Sequence, residues 1–459
     1  MFFEDFSVYP RVVRVNSVNR LKGKIFDMPR DFRLGFGSVI KIDVVAVQGD
    51  HCKELPSFGT FSDFGVEIGE DGTFELDFES GNEGEYSFRI RMEKEDGTIV
   101  PLGNFSCYAL EDDLFGLRPF KGDTHVHTCF SQCGKITDEP EYVAAMARSR
   151  GLDFVFITDH FQRGPSLIAA EKLSKFESDF KVFPGEECHA PRERMPEPFF
   201  YNKYVYPAIH HLSLGADREV VKYTCDHYEE YTAFLEKRMA ELDPAVPEDQ
   251  RMMMAAVDWI VDRTHEFGGV AVYAHPFWRP ALRFNQPKAV REYIMDNAKF
   301  DAVEVFGLGS GAVRPDFDEG NDTCVNWLCE QSIRLGRHIN VTGSTDTHDA
   351  ASLTGYQYTV AFAGSCGLED IKNAIRSGNT VAVSAYPGER RHVWGKMRLV
   401  HYVNFLFREY FPEHDEACSI DGKLMLQVQR GEIPLEAANV YGKGRLETLR
   451  KLWWAADEA

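Results

Sequence analysis

Gly122-Asp123-Thr124-His125-Val126-His127-Thr128 lies in a stretch of strand character. Successive side chains of a strand alternate between its faces, so Asp123, His125 and His127 are expected on one side, as a row of three metal-capable groups. Alone the row is weak, because 15 His in 459 residues produce about half a His-x-His pair by chance. Its companions carry the reading, each at the end of an apolar run. Leu152 to Ile157 leads into Thr158-Asp159-His160, and Phe180 to Phe183 into Pro184-Gly185-Glu186-Glu187. Ala208 and Ile209 precede His210 and His211, Val270 to Tyr273 precede Ala274-His275-Pro276, and Ile339 to Val341 precede Gly343-Ser344-Thr345-Asp346-Thr347-His348. Short β-branched and aromatic runs bounded by Gly, Pro or polar residues read as buried parallel strands, with helices between several of them. Alternating strands and helices imply an α/β barrel, whose functional groups gather at the C-terminal strand ends. His160, Glu187, His275, Asp346 and His348 all fall there.

Imidazole and carboxylate donors without a thiolate cluster suit Zn, Mn or Fe better than the all-oxygen shells of Mg or Ca. Strand parity separates Glu187 from Glu186, which is expected to face away and serve a structural end. The same parity leaves His210 and His211 as alternatives. Arg163, Arg279 and His189 follow these motifs closely and are candidates for gripping a substrate anion, with Arg favoured for its planar fork.

As an ordered set, Asp123-x-His125-x-His127-Thr128, Thr158-Asp159-His160, Gly185-x-Glu187, His211, Ala274-His275-Pro276 and Asp346-x-His348 resemble the polymerase-and-histidinol-phosphatase (PHP) family of metal-dependent hydrolases over residues 118–385. The resemblance implies a distorted (β/α)7 barrel holding two or three divalent metal ions. It also implies their ligands. His125, His127, Glu187 and Asp346 would hold one ion, and Glu187 would bridge to a second completed by His211 and His275. His160 and His348 would serve a third, with Asp159 counted as a further candidate ligand. The family's His-x-x-x-Gly pattern, matched by His211 and Gly215, favours His211 over His210. Asp346, His160 and His348 are the candidate catalytic groups, the two imidazoles as proton donors to a leaving group. The chain departs from the family at Ser131-Gln132-Cys133-Gly134, where a further acid or His is common; of two readings of Cys133, a soft ligand and a small buried hydrophobe, the second is the expectation.

Outside the barrel, residues 1–117 alternate apolar and polar residues between turn dipeptides such as Gly81-Asn82 and Asp96-Gly97. They read as a small all-β, immunoglobulin-like sandwich able to fold alone. Similar sandwiches precede the barrel in the branch of the family that resembles carbaryl hydrolase. Packing and oligomerisation are its expected roles, so a homo-oligomer is compatible with it. An insertion at about residues 216–267 is expected to leave the catalytic face as a lid, and residues 386–459 to form a C-terminal helical extension.

With 44% hydrophobic residues the chain has ample material for globular cores. The opening Met-Phe-Phe-Glu-Asp-Phe lacks a basic leader, no stretch has the apolar length of a membrane span, and ten cysteines occur without a Cys-x-x-Cys pair. These features favour a cytoplasmic protein with reduced thiols and no membrane partner. The formal charge of −21 argues against nucleic acid as a partner, whereas a small phosphorylated molecule is admitted because bound cations invert the local potential. The expected activity is that of a phosphoesterase using a hydroxide shared by two cations. A carbamate, ester or amide hydrolase on the same metals is the alternative, and an inactive scaffold the third reading.

Overall fold

The computed structural model describes residues 6–26, 39–47, 62–69, 71–93, 96–195, 205–278, 286–297, 299–306, 315–442 and 444–454. It forms two compact units. The first comprises Met1–Leu117 together with His401–His414 and Gly444–Ala459; the second comprises Arg118–Val400 and Asp415–Lys443. The segment after residue 385 is therefore not one extension, since its helices are shared between the two units.

In the first unit the strands are β1 (Phe6–Tyr9), β2 (Val12–Arg14), β3 (Val18–Ile25), β4 (Val39–Ala46), β5 (Ser62–Glu67), β6 (Thr73–Glu79), β7 (Gly84–Glu93) and β8 (Ile99–Leu110). They form a sheet of order β1-β3-β6 and another of order β2-β8-β7-β4-β5. Alternation works as the sequence suggests: in β6 Phe74, Leu76 and Phe78 are buried while Glu75, Asp77 and Glu79 are exposed. The inward row meets the other sheet, with the Phe78 and Phe88 rings 5.0 Å apart edge to face. The unit is not all-β, however. Tyr108 packs on Tyr402 and Phe405, at ring distances of 4.8 and 5.4 Å, and Arg11 N donates to the Trp453 carbonyl at 3.1 Å. Burying an aromatic side chain contributes about 1.5–3 kcal/mol, so these contacts add to a core that residues 1–117 otherwise build themselves, from Val8 to Ala109.

In the second unit the strands are β9 (Arg118–Val126), β10 (Phe154–Ile157), β11 (Lys181–Pro191), β12 (Val205–Leu214), β13 (Val270–Tyr273), β14 (Ala302–Phe306), β15 (Val341–Gly343), β16 (Gln357–Ala363), β17 (Thr380–Ser384) and β18 (His392–Gly395). They make one sheet of order β15-β14-β13-β12-β11-β10-β9-β16-β17-β18, which curls into a nearly closed barrel. Side chains help to join its ends: Thr380 Oγ1 donates to Val341 O at 2.7 Å and Gly343 N to Thr359 Oγ1 at 2.9 Å. His127 N also donates to Thr347 O at 3.0 Å, which sets the ligand-bearing ends of β9 and β15 side by side.

Inside lie Phe120, Phe154, Phe156, Phe183, Leu212 and Val272. Outside, the helices Val220–Asp226, Tyr228–Glu241 and Glu248–Glu266 pack on Cys188, Ala271 and Tyr273. Burial on both faces explains the unbroken apolar runs of the sequence. The barrel is not all parallel, because β12 runs antiparallel to both β11 and β13. That reversal corrects the lid expectation. The chain passes from Leu214, paired with Gly185 and Val270, into residues 216–267 at the end away from His210 and His275, so the insertion covers the flank of the barrel.

Candidate metal centre

Four donor atoms converge at the C-terminal ends of β9, β11 and β15. His125 Nε2 lies 3.2 Å from Asp346 Oδ1 and 3.4 Å from Glu187 Oε2, and His127 Nε2 lies 3.1 and 3.2 Å from the same two oxygens. The two Nε2 atoms are 3.2 Å apart. His125 Nδ1 is 3.1 Å from the Glu304 carboxylate, which can only accept, so Nδ1 donates and Nε2 carries a lone pair. Ser131 Oγ donates to Asp159 Oδ1 at 2.6 Å and therefore accepts from His127 Nδ1 at 3.0 Å, leaving His127 in the same state. Four acceptors in mutual contact, all buried, need positive charge between them. Five of the six edges among them measure 3.1–3.4 Å, a spacing that suits donors about 2 Å from a shared cation, the length of a zinc–nitrogen or zinc–oxygen bond.

Glu187 faces two ways. While Oε2 meets His125 and His127, Oε1 lies 2.7 Å from His210 Nδ1 and 3.5 Å from His275 Nε2. One carboxylate thus presents an oxygen to each of two imidazole pairs, the geometry of a bridge between cations. His275 and Asp346 have φ of 22° and 49°. Non-glycine residues held in that region store strain of the kind that collects at functional sites.

The residue facing Glu187 on β12 is His210, and the expectation for His211 is corrected. His210 pairs with His189 and shares the inward parity of Leu212 and Leu214. His211 pairs with Cys188, turns outward against Phe300 with ring centroids 4.9 Å apart, and bonds the His210 carbonyl through Nδ1. Its Nε2 is buried with no hydrogen-bond partner.

Two aspartates of the sequence reading hold loops. The register of β9 on β10 shifts by one residue between Asp123 and Val126, so Asp123 leaves the face of His125 and His127. It accepts from Thr345 N, Thr345 Oγ1 and His125 N. Asp159 accepts from Thr128 N, Thr128 Oγ1 and Ser131 Oγ, so it orients His127 through Ser131 and is no ligand. Glu304 was not singled out as a site residue. Its carboxylate takes His125 Nδ1–H, Ser344 Oγ–H and, at 2.9 Å, His275 N–H. A lone acid within the apolar run Ala302-Val303-Glu304-Val305-Phe306 was the signal for it. Glu186 faces away as expected and accepts from Val220 N and Val221 N at the start of a helix.

The anion-gripping candidates do not reach the site as expected. Arg163 donates to the Asp217 carbonyl through its guanidinium and lies outside the cleft lining. Arg279 lies outside the described residues. His189 is fully buried, with Nε2 2.9 Å from His160 Nδ1. His160 Nδ1 is itself 2.9 Å from Glu187 Oε2. His348 Nδ1 donates to the Asp346 carbonyl at 2.7 Å. With His127 and Cys133, His160 and His348 form a further group of converging ligand atoms. Cys133 is exposed, against the expectation of a buried hydrophobe.

A cleft of about 570 Å³ opens over these groups, within the usual range for small-molecule sites. Its lining adds Gln132, Trp278 and Asp349 to the ligands and, among the described residues, contains no Arg or Lys. Electrostatics match the geometry. Burial pulls His125 and His127 down, but the Asp346 and Glu187 carboxylates, with Glu304 beside His125, reverse this; His125 ends well above its ordinary value and His127 at about 9. Burial would raise Asp346 and Glu187, yet the surrounding imidazoles hold both below the usual carboxylate range. The site demands positive charge, and cations between the donors supply it without protonating the rings.

The sequence matches no family model and no curated protein. Among solved structures the chain is similar to a two-domain protein containing a predicted PHP-like metal-dependent phosphoesterase from Bacteroides vulgatus, with 16% identity over 59% of this chain and 66% of that one, a little under two thirds, at a TM-score of 0.36. A putative metal-dependent phosphoesterase from Bifidobacterium adolescentis is 18% identical over 51% of this chain and 88% of that one, at 0.32. Endonuclease Q in complex with a 27-mer duplex substrate is 13% identical over 57% of each chain, at 0.34. Likenesses this low do not fix a function, which rests on the site's own geometry. The exclusion of nucleic acid drawn from net charge is withdrawn: endonuclease Q is solved with a duplex, and the physical ground was too broad, because a charge averaged over the whole surface does not set the potential of a cleft lined with cation ligands. No helix among the described residues is long and apolar enough to cross a membrane.

Proposed function

We propose that the chain is a metal-dependent hydrolase, and specifically a phosphoesterase. The observation that carries this reading is Glu187, with one oxygen on the His125 and His127 side and the other on the His210 and His275 side. Divalent cations bound there acidify water and polarise a phosphoryl or carbonyl oxygen. His125, His127, Glu187 and Asp346 would hold one cation, and Glu187, His210 and His275 the other; imidazole and carboxylate donors suit Zn, Mn or Fe. Glu304 and the Ser131–Asp159 pair fix the His125 and His127 tautomers, so the ligand lone pairs are set before a cation arrives. Of the two imidazoles expected to donate a proton, His348 is cast as an acceptor: its Nδ1–H is committed to the Asp346 carbonyl, so Nε2 presents a lone pair. His160 is placed likewise, its Nδ1–H committed to the Glu187 carboxylate at 2.9 Å, so both imidazoles present Nε2 as a lone pair.

One observation favours the alternative of an uncharged acyl substrate, a carbamate, ester or amide: the described cleft wall offers Trp278 and no Arg or Lys. The deciding experiment assays the full chain, loaded with Mn or Zn, on phosphate monoesters, on diesters including oligonucleotides, and on carbamates. Turnover of a phosphate ester with competitive inhibition by inorganic phosphate supports the first reading. Turnover confined to carbamates, with no inhibition by phosphate, replaces it with the second.

A further inference from the structure

The loop after the His-x-His row is built to a fixed shape. Gly134 N donates to Ser131 O at 3.0 Å and Ser131 N to Thr128 O at 3.1 Å. A Cβ added at Gly134 would stand 1.9 Å from the Thr128 carbonyl oxygen, so only glycine fits this turn. The next residue is tied down as well. Lys135 N donates to the His348 carbonyl at 3.1 Å, and Lys135 Nζ pairs with Asp349 at 3.0 Å. Cys133 is thereby held over the cleft, on its lining, with ligand atoms of His127, His160 and His348 all within 4.8 Å of its sulfur and of one another.

We infer that Cys133 is a metal ligand that completes a third cation position with His160 and His348 beside His127, a soft sulfur-bearing position next to two made of nitrogen and oxygen. The inference deepens the metallohydrolase reading and rests on it. Three features of the chain agree. The sulfur is exposed to the cleft and free of disulfide bonding. His348 Nε2 is left with a lone pair by the bond of Nδ1 to Asp346 O. The loop that carries the sulfur is anchored to the loop that carries His348. Binding forms a metal–sulfur bond and releases the thiol proton to solvent. Thiolate selects Zn, Co or Fe over Mn, so the third position differs in metal preference from the other two.

Titration of the full chain with Co(II), followed by absorbance and by metal content, tests this. A sulfur-to-cobalt charge-transfer band in the near ultraviolet is expected to grow with the last equivalent bound. Cys133→Ser should lose both the band and that equivalent while keeping the other two; the site is exposed, so serine fits without repacking. Cys133→Asp should restore the equivalent without the band. Zn should shield Cys133 from alkylation, read by mass spectrometry of the tryptic peptide, and Mn should not. The inference is overturned if cobalt fills the chain with no such band, or if the band persists in Cys133→Ser. Binding of two equivalents with no sulfur band overturns it alone, whereas binding of less than one overturns the metallohydrolase reading as well.

Discussion

Exchanging the roles of two adjacent histidines gives a sharp test of the site. His210 Nδ1 stands 2.7 Å from Glu187 Oε1, whereas His211 buries an Nε2 without a hydrogen-bond partner against Phe300. His210→Ala removes one of the two imidazoles on the far side of Glu187. Loss of a supporting group behind a ligand already costs 10–100-fold in metal affinity, so loss of the ligand itself should weaken the second cation by about 100-fold or more, roughly 2.7 kcal/mol. His211→Phe fills nearly the same space and deletes the unpartnered nitrogen. It gives up only the bond to the His210 carbonyl, so the net change in stability should stay under about 1.5 kcal/mol, with metal content untouched. Elemental analysis after dialysis, calorimetric titration with Mn or Zn, and melting curves of both variants read the outcome. If His211→Phe loses a cation and His210→Ala keeps both, the inward parity assigned to β12 is wrong.

Glu304→Gln should weaken the first cation 10- to 100-fold, because the carboxylate that fixes His125 Nδ1–H is outside the ligand set yet behind it; isothermal titration checks this. Glu186 is pushed up to about 7 by burial, above an ordinary value of 4.5. The folded chain therefore binds the extra proton between pH 4.5 and 7, and this residue's contribution to stability falls as pH rises through that window, by on the order of 3 kcal/mol. Urea unfolding of wild type and Glu186→Gln at pH 5 and pH 8 should show a difference that changes by about that amount, with metal content unaffected in the variant; a pH-independent difference would refute it. A fragment of residues 1–117 should melt cooperatively by circular dichroism on its own core, and adding back residues 401–414 and 444–459 on a linker should raise the midpoint, since Trp453, Tyr402 and Phe405 pack on the sheets.

Where the sequence was legible, the reason was chemical crowding at strand ends: His125, His127, His160, Glu187, His275, Asp346 and His348 each terminate an apolar run, and the structure gathers all seven. What it hid had physical causes. Parity could not separate His210 from His211, because β12 is buried on both faces and apolar residues therefore mark neither. The reversal of β12 left no trace in its composition, which misplaced the insertion. Asp123 and Asp159 look like ligands by type, but buried backbone N–H and hydroxyl groups claimed them first. Glu304 was hidden by its apolar neighbours. Cys133 was read from the average behaviour of cysteine, whereas Gly134 fixes a turn that delivers it to the cleft.

The central claim is that Glu187 holds two cations at once, and metal content per chain in wild type and Glu187→Gln measures it directly. The substitution keeps the shape and removes the charge that faces both imidazole pairs. Two or more equivalents of Zn, Mn or Fe are expected in the wild type and one or fewer in the variant. Less than one equivalent in wild type exposed to all three metals, or a variant that retains the full complement, would contradict the account.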